Sequence, residues 1–144
     1  MTRKRPKVWQ SAPRGTGPAI PDTREKGAII DACDSFIRDV LKPRFLHRIE
    51  PEDAIGLTDR NYMVDIRGAW TAGRYRFMRR YRSAFEHNRG AEFDIPFARI
   101  DRIGPDRFDI KWMRHTGQWW PVYSGKTLAE ALRILETDPV LYPY

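Results

Sequence analysis

Arg107-Phe108-Asp109-Ile110-Lys111-Trp112-Met113-Arg114-His115-Thr116-Gly117-Gln118-Trp119-Trp120-Pro121-Val122-Tyr123 is the stretch from which the fold can be read. Phe108, Ile110 and Trp112 alternate with Asp109, Lys111 and Met113, the two-residue period of a strand with one apolar face. His115-Thr116-Gly117 reads as a tight turn, and Trp119 to Tyr123 as a strand returning beside the first. Three of the chain's five tryptophans lie in this segment. Adjacent side chains of a regular strand point to opposite faces, so one of Trp119 and Trp120 enters the core and the other points outward.

Working outward, Phe97 to Ile103 reads as the preceding strand, closed by a turn at Gly104-Pro105-Asp106. Residues 83–95 read as a polar loop containing His87-Asn88-Arg89-Gly90. Arg74 to Arg82 admits two readings. As a strand it puts Tyr75, Phe77 and Tyr81 on one face and Arg74, Arg76, Met78, Arg80 and Arg82 on the other. As a helix it would line up Phe77, Met78, Tyr81, Ala84 and Phe85. Aromatic enrichment and the flanking Gly73 favour the strand. Before it, Tyr62, Val64 and Ile66 alternate as a strand, and Gly68 and Gly73 bracket a loop carrying Trp70.

Helices are expected at both ends. Asp22 or Thr23 caps the first, with Glu25 in its first turn. Ile29, Cys33, Phe36, Ile37 and Val40 share one face, and Pro43 stops it. Residues 44–60 are an ambiguous connector, with Phe45, Leu46 and Ile49 able to form an apolar turn and Pro51-Glu52-Asp53 opening another. Ser124-Gly125 ends the fifth strand. Thr127 and Glu130 form a capping box for the last helix, whose buried face is Leu128, Ala131, Leu132 and Leu135, and Asp138-Pro139 ends it. The order is helix, five strands, helix. Short connections imply an α+β fold, a five-stranded antiparallel meander sheet packed by an N-terminal and a C-terminal helix. The domain spans 22–144, and the Pro/Gly-rich residues 1–21, with Trp9 their exception, read as a disordered basic tail.

Several of these motifs occur together in one known family. Phe97-Ala98-Arg99-Ile100 precedes Trp112-Met113-Arg114-His115-Thr116-Gly117-Gln118-Trp119-Trp120-Pro121-Val122-Tyr123. Thr127-Leu128-Ala129-Glu130-Ala131-Leu132, Asp138-Pro139 and Tyr142-Pro143-Tyr144 follow. In this order, over about residues 60–144, the chain resembles a bacterial domain-of-unknown-function family, number 3024. The resemblance implies the fold and carries no activity, substrate or catalytic residue.

Composition narrows the function. The chain of 144 residues suits one domain, and 41% hydrophobic and 12% aromatic residues suffice for a core. No apolar run approaches the roughly 18 residues of a membrane span, and the charged N-terminus has no apolar segment of a secretory signal behind it. A single cysteine excludes an internal disulfide, so a cytoplasmic protein is expected. The net charge is +7, and the first 20 residues hold five bases (Arg3, Lys4, Arg5, Lys7 and Arg14) and no acid. The rest is nearly balanced. A basic arm of this kind holds phosphates or merely aids solubility.

Catalytic motifs are missing. Cys33, His47, His87 and His115 have no metal-ligand spacing, and Cys33 falls on an apolar helix face as a buried thiol. No Gly-x-Ser-x-Gly, phosphate-binding loop or dinucleotide motif occurs, and Ser35, Ser83 and Ser124 have no supporting pattern. Glu92 with Asp94, and Asp106 with Asp109, read more simply as solvated or cross-strand ion pairs than as an acid/base couple, and Asp65 as a partner for an arginine on the next strand. No cofactor or metal is implied.

A non-catalytic binding module is the reading the residues favour, with nucleic acid as the leading ligand. Arg3, Lys4, Arg5 and Lys7 in the tail and Arg74, Arg76, Arg80 and Arg82 on one strand face would meet phosphates. Trp70, Arg114, His115 and Trp120 are the candidate exposed-aromatic or interaction residues. The alternative is a protein-interaction or homodimerisation module without a nucleic-acid role, and the third reading is an enzyme of unknown class. Should helices cover the aromatic face, the arginines become a solvated face balanced by Asp65, Asp101 and Asp109.

Overall fold

A computed structural model describes residues 18–46 and 60–144. The expectations for the tail residues 1–17, and for His47, Ile49 and Pro51-Glu52-Asp53, lie outside the described residues.

Helix α1 (Thr23–Phe36) starts where Asp22 accepts a hydrogen bond from the Glu25 amide at 2.8 Å. It buries Ile29, Cys33 and Phe36. It continues through a π-helical turn (Ile37–Leu41) into a last α-helical turn (Lys42–Phe45). Pro43 therefore does not stop the helix. Its ring would clash with the carbonyl four residues earlier in a regular α-helix, and the wider π turn just before it, with Lys42 N–H bonded to Ile37 O, relieves that crowding. The extra turn delivers Phe45 to the core, where its ring lies 4.8 Å from that of Tyr142 and 5.4 Å from that of Tyr144.

Five strands follow: β1 (Asn61–Thr71), β2 (Arg74–Ser83), β3 (Glu92–Gly104), β4 (Arg107–Met113) and β5 (Trp119–Lys126). They form one antiparallel meander in the order β1-β2-β3-β4-β5. Arg74 to Arg82 is strand, as favoured. Three boundaries differ from the sequence reading. β1 runs through Gly68 and Trp70 up to the turn Ala72-Gly73, where both residues have positive φ, as a two-residue type I′ hairpin requires. Gly68 is a strand residue because the Tyr75 ring lies where its Cβ would be. β3 begins at Glu92, since Glu92 and Asp94 pair with Arg82 and Arg80. β5 continues past Ser124-Gly125, whose irregular register absorbs the glycine at φ +70°.

Helix α2 (Leu128–Thr137) has the full capping box: Glu130 N–H to Thr127 Oγ1 at 3.1 Å and Thr127 N–H to Glu130 Oε1 at 2.8 Å. Both helices lie on the same side of the sheet. Ile29, Cys33 and Phe36 from α1, with Ala131 and Leu135 from α2, pack on Ile66, Tyr75, Phe77, Ala98, Ile100, Phe108 and Ile110. Tyr75 anchors the contact by donating a short hydrogen bond to Asp34. Pro18 to Pro21, which the sequence put in the tail, belong to this packing. Ala19 N–H bonds Arg102 O at 2.7 Å, and Pro21 is buried.

Candidate nucleic-acid interface

With both helices on one side, no helix among the described residues covers the other face of the sheet, called the open face. Strand register assigns residues to it. Arg76 pairs with Arg99, Arg99 with Lys111 and Lys111 with Pro121, so three cations stand in one row across the three central strands. Neighbouring strands lie about 4.8 Å apart, so the row spans roughly 10 Å. Beside it runs a second row, Arg74, Asp101 and Asp109.

Like charges placed directly opposite one another repel. Asp101 offsets much of this. It is 4% exposed and takes a two-pronged contact from Arg99, at 2.7 and 3.1 Å. Lys111 Nζ is 3.2 Å from it and Arg74 Nε 3.7 Å. No helix of the described residues buries this carboxylate. The surrounding side chains cover it instead: Arg99 is itself only 8% exposed, whereas Lys111 and Arg74 reach the surface with 22% and 41% of their side chains exposed. Asp109 is satisfied separately, by Ser124 Oγ at 2.7 Å and Gly125 N–H at 3.2 Å. The Arg76 side chain has no hydrogen bond or ion pair with any described residue. Among the described residues, the centre of the open face thus presents four cations to two acids.

The far end of the face is better balanced. Glu92 takes Arg80 at 2.9 Å and Arg82 at 2.6 Å, and Asp94 lies 3.7 Å from Arg80 and 3.9 Å from Arg67. Arg82 first, then Arg80, hold the Glu92 carboxyl below the usual carboxylate range. The couple Glu92 and Asp94 is therefore an ion-pair cluster. Asp65 is paired by register with Arg80, yet its ion pair is with Lys42 of the last helical turn, at 3.0 Å.

The candidate residues of the sequence reading separate into groups. Arg74, Arg76, Arg80 and Arg82 share the open face. Arg3, Lys4, Arg5 and Lys7 lie outside the described residues. Trp70 is no exposed aromatic: it pairs with Tyr75 and packs against the core, because the strand carries it to the helix side. Trp120 pairs with Trp112, also on the helix side, but lies beyond the helices and remains 48% exposed. Arg114 stacks on it, 4.9 Å from the ring centroid, and His115 is exposed in the β4–β5 turn.

The tryptophan that joins the arginines is Trp119. It is half-buried and opposite Met113, with the Arg99 guanidinium 4.7 Å over its ring. Arg99 and Lys111 were missed as site residues. Their alternation with Ile100 and Ile110 showed that they leave the core; their alignment with Arg76 depends on register, which one strand's sequence does not carry.

Among the described residues, no group of three or more His, Cys, Asp or Glu side chains is arranged to hold a metal ion. Nor is any helix there long and apolar enough to cross a membrane. The model of the family described as Domain of unknown function (DUF3024) matches residues 20–142. Neither the curated proteins nor the solved structures contain a match to the chain.

Proposed function

The chain belongs to this family of unknown function, DUF3024, and we propose that it is a non-catalytic binding module whose open sheet face holds the phosphates of a single-stranded nucleic acid. The observation that carries the reading is the row Arg76, Arg99 and Lys111 across three adjacent strands. Aligning three like charges is unfavourable for the free protein, and a polyanion laid along the row relieves it. Asp101 fixes the Arg99 fork and Lys111 in place, and Arg76 is left to take a phosphate. Trp119, half-buried beside the Arg99 guanidinium, offers an aromatic ring for a base to stack on. Five strands span about 19 Å, wider than the roughly 12 Å major groove, so the face suits a single strand better than a duplex. The five bases of the first 20 residues would add phosphate contacts. A cytoplasmic setting accords with the single cysteine being a buried free thiol.

Fluorescence anisotropy with a labelled oligouridylate tests this. Binding weakens steeply with salt, and Arg76→Glu weakens it further and reduces the log–log salt slope by about 0.7, one phosphate contact. Equal affinity and slope in the variant would contradict the proposal.

One observation favours a second reading, a protein-interaction or homodimer contact through Trp120, which is 48% exposed beneath Arg114. It requires a complex seen by sedimentation that Trp120→Ala abolishes and salt leaves intact.

A further inference from the structure

A cleft of about 550 Å³ opens at the end of the sheet where β3 begins and β4 ends. Its floor is apolar, with Ile95, Phe97 and Trp112, and Tyr144 stands at its side. Arg79, Arg114 and His115 also line it, and no Asp or Glu side chain does. The two arginines reach it by different routes, one from a strand and one from a turn. Arg79 belongs to β2 and faces the helix side of the sheet, where its Nη1 donates to Pro143 O at 2.8 Å and its guanidinium lies 5.6 Å from the Tyr81 ring centroid. Arg114 follows β4 at the start of the β4–β5 turn, fixed by its backbone N–H to Gln118 O at 2.9 Å and by its stacking on Trp120.

Neither arginine forms an ion pair with an acid of the described residues, and the Nε of each is buried without a hydrogen-bond partner. Elsewhere in the same sheet Arg80, Arg82, Arg99 and Arg102 all hold carboxylates. Partly desolvating two guanidiniums without a counter-charge is unfavourable, and an oxyanion bound between them offsets it. The planar fork of arginine matches carboxylate and phosphate oxygens, and the apolar floor accepts a flat ring. His115, exposed at the rim, supplies a further donor.

We propose that this cleft is a binding site for a small aromatic oxyanion, its carboxylate or phosphate held by Arg79 and Arg114 and its ring on Trp112 and Phe97. The site shares no residue with the row Arg76, Arg99 and Lys111, so it stands or falls independently of nucleic-acid binding.

Ligand-observed NMR and calorimetry on the full chain test it with phenyl phosphate, phenylacetate and neutral benzyl alcohol as probes. At least one of the anions binds saturably at or below about 1 mM, and benzyl alcohol binds at least about tenfold more weakly. Whichever anion binds more tightly identifies the headgroup. Arg114→Gln, which removes no hydrogen bond that the fold uses, weakens that anion by about tenfold or more with unchanged circular dichroism. Arg79→Gln does the same, with Arg114→Gln deciding should it loosen the Pro143 contact. Benzyl alcohol binding as well as the anions, neither anion binding, or an Arg114→Gln variant of unchanged affinity would each overturn the assignment.

Discussion

Arg76 and Arg99 stand directly opposite each other on β2 and β3, and only Arg99 has a carboxylate, the buried Asp101, to hold it. Opposed like charges cost about 0.2–1 kcal/mol. Replacing Arg76 by Thr, a good strand residue, is therefore expected to raise stability by about 0.5 kcal/mol while lowering affinity for single-stranded nucleic acid. Urea unfolding and anisotropy on the same variant check both halves. A destabilised variant with full affinity contradicts both.

Gly68 lies under the ring of Tyr75, and Tyr75 bonds Asp34 of α1. Gly68→Ala must push that ring aside and strain the contact between α1 and the sheet. A loss of about 1–3 kcal/mol is expected, as for overpacking elsewhere in cores. Gly90→Ala, which meets no neighbouring atom but has φ +86°, serves as a control for backbone strain alone.

Glu25 and Arg102 join the start of α1 to β3 through two 2.8 Å hydrogen bonds, and Arg102 also holds Ala19 O at 3.1 Å. The hydrogen bond from Arg102 lowers the Glu25 carboxyl below its usual range. A carboxylate depressed in the folded state contributes stability that is fully present above its unfolded pKa, about 4.3, and is lost as pH falls through the folded value. Stability should fall on acidification below about pH 5, and less so in Glu25→Gln. At pH 7 that variant is expected to lose about 1 kcal/mol, a modest figure because 30% of the Glu25 side chain is exposed. Thermal melts across pH give the comparison.

Cys33 is fully buried, and burial, reinforced by Asp34, raises its thiol pKa. Alkylation by iodoacetamide should be slow in the folded protein and should accelerate with urea in step with unfolding. Rapid labelling in native buffer would show that α1 opens readily from the sheet.

What could be read from the sequence follows from the range over which each signal acts. The alternation of Phe108, Ile110 and Trp112 and the capping box of Thr127 and Glu130 are local, and both stand as read. Pro43 misled because the five-residue π turn before it cannot be seen in a three-to-four residue period. Gly68 misled because its cause, Tyr75, sits on another strand. Arg99 and Lys111 joined the site for the same reason: cross-strand rows need register, and all four strand pairs contain an irregularity that shifts it. Trp119 and Trp120 divide between the faces as alternation demands, set by pairing with Met113 and Trp112, but neither enters the core as expected: Trp119 is half-buried on the open face, and Trp120 is 48% exposed.

That division gives the most direct measurement. Each tryptophan has one indole N–H signal, so a single-stranded oligonucleotide can be titrated into labelled protein and the five signals followed. Trp119, on the open face beneath Arg99, should shift in proportion to bound ligand, while Trp112 inside the sheet's covered side stays still. Shifts confined to Trp112 and Trp120, or no shift at any tryptophan at saturating concentration, would contradict binding on the open face.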